Sequence, residues 1–218
     1  MRDSQTGNVT ARIGVLALQG DFARHLEALR AVGAAGCEVR SSQDFIGLDA
    51  LIIPGGESTT MSILLDRLGM REALVGFVGS RPVWGSCAGL ILLSRRIVES
   101  PEAQGVGVRP LGALDVDIMR NAYGRQVNSF EETVSVECEN TSFSFPACFI
   151  RAPKIVRVGK KALVMARRGS EPTLVRQANI LASTFHSELT ENHSLSRYFV
   201  EKMVSPAHAA VKSALSRA

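Results

Sequence analysis

Short, nearly unbroken apolar runs alternate with amphipathic stretches through the first ninety residues. Arg12–Leu18 (RIGVLAL) and Leu48–Ile53 (LDALII) are runs of the first kind, the mark of a strand buried on both faces. After the first, Asp21 stands at an N-cap position, Phe22, Leu26 and Leu29 recur at helical spacing, and Gly33 stops the helix. After the second, Ser58 or Thr59 is the expected cap of a helix carrying Met61, Leu64, Leu65 and Leu68, with Gly69 as its stop. Met70–Val78 reads as a further helix and Pro82–Gly85 as a further strand. Strand and helix in alternation predict a parallel sheet with helices on both faces.

The middle of the chain changes period. Asp115–Met119, Glu132–Cys138, Ala147–Ile150, Ile155–Val158, Ala162–Ala166 and Thr173–Gln177 cluster β-formers between turn residues, which predicts an antiparallel extension of the sheet. Asn179–Phe185 returns to a buried strand, and Leu195, Tyr198, Phe199 and Met203 give an amphipathic closing helix. The expectation is a single-domain α/β fold of three layers, flavodoxin-like, with a mostly parallel central sheet. Residues 1–11 read as a disordered leader, 12–204 as the domain, and 205–218 as a helical or frayed tail.

Composition narrows the class. With 218 residues, 45% of them hydrophobic, the chain can bury one sizeable core. The net charge of +4 is scattered, with only Arg167-Arg168 and the tail locally basic. It lacks the aromatic-interleaved patches of a nucleic-acid binder. No apolar run approaches the ~20 residues of a membrane span, and no stretch resembles a secretory signal. Cys37, Cys87, Cys138 and Cys148 form no Cys-x-x-Cys pair, which fits thiols in a reducing, cytoplasmic compartment. No spacing suggests a metal site. Among the histidines, His25 falls on the side of the first helix expected to face solvent, His193 near a helix cap, and His208 in the tail.

Chemistry concentrates in three segments, each following a strand, where open α/β sheets bind ligands. Gly85-Ser86-Cys87-Ala88-Gly89 lies between two apolar runs and has the form of a nucleophile elbow. The dipole of the following helix favours the thiolate at Cys87, and the Ala88 N–H is placed to receive an oxyanion. Phe185-His186-Ser187-Glu188 puts an imidazole and a carboxylate two residues apart, on one face of an extended chain, so Glu188 can orient His186. Pro54-Gly55-Gly56-Glu57-Ser58 opens a helix whose free N–H groups can supply a second oxyanion donor, with Gly56 the choice. Taken singly, these are equally a buried structural cysteine, a solvent-facing loop and a plain helix cap. A phosphate cradle is disfavoured because the lysine of a P-loop is missing.

With these segments in hand, the chain resembles the class I (triad) glutamine amidotransferases. Among them it is similar to the glutaminase subunits of pyridoxal 5′-phosphate synthase. The resemblance runs from about Ile13 to about Phe199. It rests on the Cys turn, His-x-Glu and Gly14–Gly20 (GVLALQG), and on three more particular runs: Pro54–Met61 (PGGESTTM), Arg120–Gln126 (RNAYGRQ) and Phe149–Pro153 (FIRAP). It implies a triad of Cys87, His186 and Glu188. It implies an oxyanion hole from Gly56 and Ala88, and glutamine held by Gly56, Glu57, Ser58, Arg120, Ile150 and Arg151. It implies no cofactor, L-glutamine as substrate, and a hetero-oligomer with a synthase subunit that receives the ammonia. Two positions depart from the pattern: Ser86 stands where Thr is common, and Ser187 where Pro usually separates His from Glu. The competing readings are a non-catalytic binding subunit of the same fold and a glutaminase serving a different synthase.

Overall fold

A computed structural model describes residues 11–98, 107–120, 129–138 and 141–215. The leader up to Thr10, the motif residues 121–126 and the final three residues lie outside these segments. The first half runs β1 (Arg12–Leu16), α1 (Phe22–Ala31), β2 (Ala35–Val39), β3 (Ala50–Ile53), α2 (Ser58–Arg67), α3 (Arg71–Val78), β4 (Val83–Ser86) and α4 (Ala88–Leu93). The second half is richer in strands: β5 (Ser94–Val98), β6 (Leu114–Met119), β7 (Phe130–Cys138), β8 (Thr141–Phe149), β9 (Lys154–Val158), β10 (Leu163–Arg168), β11 (Glu171–Gln177) and β12 (Ile180–Ser183). The chain closes with α5 (Ser194–Tyr198), a π-helical segment (Phe199–Val204) and α6 (Ser205–Leu215).

The main sheet has seven strands in the order β10-β11-β12-β4-β3-β1-β2. β2, β1, β3, β4 and β12 are parallel, and β11 and β10 continue antiparallel at one edge. Successive residues of the central strands face opposite layers, as the pleat requires. Ile13, Val15, Ile52, Trp84 and Leu181 pack into one core with Leu29, Leu195, Phe199 and the β8 residues Phe145 and Phe149. Leu16, Leu51, Ile53, Val83 and Ala182 pack into the other with α2, α3 and the wholly buried α4. Each large aliphatic or aromatic side chain taken out of water contributes about 1.5–3 kcal/mol, so both layers anchor the strand ends where the site forms.

Several details differ from the sequence expectation, among them β5, where no strand was expected. β2 was not anticipated, because it is an edge strand with only Val39 buried and so carries no apolar run. Only β10 and β11 extend the main sheet. β5, β6 and β9 form a separate sheet, in which β5 and β6 run parallel, and β7 pairs with β8 alone. Glu57, not Ser58 or Thr59, caps α2, accepting from the N–H groups of Thr59 (3.1 Å) and Thr60 (2.6 Å). Asp21 occupies the N-cap of α1 without a side-chain cap bond. No helix of the described residues is long and apolar enough to cross a membrane.

β4 and α4 meet β3 at backbone contact. A Cβ built on Gly89 would stand 2.2 Å from the Ile53 carbonyl oxygen, which no rotamer change can relieve. Gly89→Ala should therefore cost about 1–3 kcal/mol, as overpacked cores do, read as a lowered urea midpoint.

Candidate active site

β4 lies between β3 and β12, with Ile53 opposite Gly85 and Ser86 opposite Ser183. Their C-terminal ends therefore lie side by side, and the three segments singled out in the sequence leave from adjacent strands. Cys87 sits at φ 46°, ψ −96°, a conformation that costs a non-glycine residue about 1–3 kcal/mol. It is held there from both sides. The Cys87 N–H donates to Ser183 O (2.9 Å), and its carbonyl accepts from Ile91 N–H (3.2 Å) in the first turn of α4. Ala88 is the first residue of that helix and buried. Its N–H is one of the donors a helix start leaves without an internal partner.

His186 is fixed through its backbone. It pairs with Cys148 at the end of β8, N–H to carbonyl in both directions (2.8 and 3.0 Å). Gly55 lets the imidazole close in, since a Cβ there would stand 2.1 Å from His186 Cε1. His186 Nδ1 lies 2.7 Å from Glu188 Oε1. The Ser86 hydroxyl donates to Phe185 O (2.9 Å) and reaches Glu188 Oε2 at 3.4 Å. Burial works to lower the basicity of His186. The hydrogen bonds and charges of Cys87 and Glu188 outweigh it and hold the imidazole well above the usual histidine value. Burial works to raise Glu188, and the imidazoles of His25 and His186 outweigh it, so the carboxylate stays ionised well below its ordinary range.

His25 is where the sequence expectation fails. It is fully buried, not solvent-facing, packs edge-on against Trp84 with centroids 5.2 Å apart, and brings Nε2 to 3.4 Å from Glu188 Oε1. The amphipathic spacing of α1 counted only apolar residues, and a histidine turned toward a buried charge leaves no mark in that pattern. His193 does sit at the N-cap of α5, and His208 Nδ1 meets Asp49 Oδ1 at 2.8 Å.

A cavity of about 200 Å³ opens over Cys87 and His186. Gly56, Glu57 and Ser58 line it from the start of α2, Arg120 from the end of β6, and Ile150 and Arg151 from the turn after β8. Ala88 and Glu188 lie outside the lining, the latter behind His186. Arg151 holds φ 44°, so two of the three non-glycine residues with positive φ among the described residues, Cys87 and Arg151, face this cavity. Arg120 Nη1 donates to Thr59 Oγ1 (3.2 Å). The Glu57 carboxylate, despite a desolvation cost that raises it, is held below its ordinary value by the Thr60 and Thr59 N–H groups. Asp21 and Ile91 also line the cavity. Asp21 was read from sequence only as a helix cap. Among the described residues no cluster of His, Cys, Asp or Glu could hold a metal ion.

The site is thus a strained cysteine elbow on a mostly parallel sheet, with a His–Glu pair on the neighbouring strand end. The chain belongs to the SNO glutamine amidotransferase family, which matches residues 15–205. It is 49% identical over 191 residues to a Thermus thermophilus protein named pyridoxal 5′-phosphate synthase subunit PdxT, covering 87% of this chain and 96% of that relative. A Mycolicibacterium vanbaalenii protein of the same name is 47% identical over 88% of this chain and 97% of its own length. A crystal structure described as a glutamine amidotransferase shares 48% identity and superposes with a TM-score of 0.78, over 87% of this chain and 97% of that one. A putative GMP synthase subunit from Thermoplasma acidophilum, at 15% identity and a TM-score of 0.63, shares the fold.

Two predictions follow from the geometry. The Ser187 hydroxyl is buried without a partner among the described residues, and the residue before it is in extended pairing, which proline tolerates. Ser187→Pro should raise stability by about 0.4–1 kcal/mol through the unfolded chain, read in urea, with the activity retained. The His186–Glu188 pair gives stability a pH window. The raised imidazole contributes fully below about pH 6.5 and loses its share as pH rises through its folded value. The depressed carboxylate contributes fully above about pH 4.3 and loses its share as pH falls through its own. Glu188→Gln should therefore destabilise most near pH 5.5, with the gap from wild type narrowing as pH rises through the folded value of His186.

Proposed function

We propose that Cys87, His186 and Glu188 hydrolyse L-glutamine to glutamate and ammonia. The chain is the glutaminase subunit of a pyridoxal 5′-phosphate synthase and supplies ammonia for vitamin B6 biosynthesis. The glutaminase unit spans 12–204, with the tail helix appended to it. The observation that carries the residue roles is the strained Cys87, whose cavity is shared with His186 and with two arginines and two carboxylates. The second set suits the α-carboxylate and α-ammonium of an amino acid.

In this reading Arg120 and Arg151 hold the α-carboxylate of glutamine, while Glu57 meets the ammonium. Gly56, Ser58 and Ile150 shape the wall around the side chain. The Cys87 thiolate attacks the side-chain amide carbon. A C–S bond forms and the carbonyl π-pair moves onto oxygen, where the N–H groups of Gly56 and Ala88 receive it. His186, as imidazolium, gives its proton to the departing nitrogen, and the C–N bond breaks to release ammonia and leave a thioester. The imidazole then takes a proton from water, the resulting hydroxide adds to the thioester, and glutamate leaves with Cys87 again a thiolate. Glu188 holds the imidazole in orientation and stabilises its charged form throughout. The ammonia passes to the synthase subunit, with which this chain forms a hetero-oligomer.

The His186–Glu188 contact of 2.7 Å counts against a non-catalytic subunit, since Ser187 leaves the pair aligned. The test is ammonia release from glutamine, with and without the synthase subunit. We expect turnover stimulated by the synthase subunit and abolished in Cys87→Ala, with complex formation unchanged. Near-normal release from that variant would overturn the assignment.

A further inference from the structure

The buried charge of Glu188 is not left to His186 alone. Glu188 faces His186 beside it, the Ser86 hydroxyl on β4, Cys148 on β8 and His25 from α1. Of these, His25 takes no part in the proposed chemistry. Its side chain is entirely buried, an expensive place for an imidazole without a polar purpose. Its Nε2 lies 3.4 Å from Oε1, the carboxylate oxygen that takes His186 Nδ1, and neither His25 nitrogen makes a hydrogen bond among the described residues. Trp84, three residues before the nucleophile, walls the ring edge-on. Its indole N–H reaches Ser183 Oγ at 3.4 Å, so the His25 ring is set by the strand pair that sets Cys87.

We infer that His25 is a positioning residue of this site: its Nε2–H donates to Glu188 Oε1, fixing the carboxylate and sharing the oxygen that orients His186. A carboxylate only accepts, so Nε2 must carry the proton. At 3.4 Å the two atoms are close but do not meet hydrogen-bond geometry in this structure, as partners in catalytic networks often do not before substrate is seated. The consequence is a divided Oε1. With His25 in place, His186 draws on only part of the carboxylate charge, which keeps the imidazolium acidic enough to give its proton to the leaving nitrogen. Without His25, Glu188 serves His186 alone: the imidazolium becomes harder to deprotonate, and the carboxylate loses one of the contacts that aim it.

The inference rests on the glutaminase reading, so the experiment carries its own control. Wild type, His25→Leu and His25→Gln are each measured as the complex with the synthase subunit, for glutamine kinetics across pH and for thermal unfolding. Leu matches much of the volume without a donor; Gln returns an amide N–H near the Nε2 position. We expect His25→Leu to lower kcat by about ten- to hundredfold, the usual effect of losing a partner that orients a working group, with KM within about twofold. Its alkaline limb of kcat/KM should move to higher pH by about half a unit, and His25→Gln should recover most of both changes. Wild-type kcat and pH profile in His25→Leu, or a His25→Gln as impaired as His25→Leu in both, overturns the role. If His25→Leu does not fold, His25→Asn, whose shorter amide falls short of Glu188, is read by the same criteria. A wild-type complex without turnover overturns the glutaminase reading itself, and the His25 role with it.

Discussion

At Cys87 the chain takes a conformation that L residues avoid, and the neighbouring strands are arranged to hold it there. β4 ends between β3 and β12, its N–H to Ser183 and its carbonyl to Ile91 both satisfied. The glycines around the bend let α4 lie against the backbone of β3. Strain of this kind persists only where the surroundings over-determine it. The two cores on either face of the sheet provide that rigidity, because the strands that meet at the site are buried on both sides. The thiol is therefore presented at a helix start and beside an imidazole without freedom to turn away.

The second demand on the structure is a carboxylate with almost no solvent contact. A buried charge is tolerated only when it is paired and hydrogen-bonded. Glu188 meets that condition through His186, with Ser86 and His25 close by. The same contacts raise His186, so one arrangement keeps Glu188 ionised and the imidazole charged beside the thiol. The β7–β8 pair joins this network through Cys148, whose backbone bonds align His186. A sheet separate from the main one thus sets the angle of the imidazole.

The parallel core of the fold was legible because each of its strands is buried on both faces and announces itself as an apolar run. β2 was not, since an edge strand needs no such run, and neither was the division of the middle strands into separate sheets. That division depends on which strands find each other, and residue type does not encode it. The π-helical segment at Phe199–Val204 likewise leaves no trace in a pattern that reads as one amphipathic helix. The segments of the site were legible for a different reason: an elbow needs glycines at set positions, and a His-x-Glu needs its spacing.

What the sequence determined by itself was therefore local: the strand–turn–helix units, the cysteine on its bend, and the adjacent histidine and carboxylate. These depend on neighbours within a few positions, where side-chain volume and backbone freedom act directly. Tertiary structure alone decided that Asp21 turns into the cavity and that His25 lies behind Glu188. It also decided that Cys148 aligns His186. Each of these joins residues brought together by strand order and helix rotation, and the free energy of a buried charge or an unpaired helix end is settled only once those partners are in place.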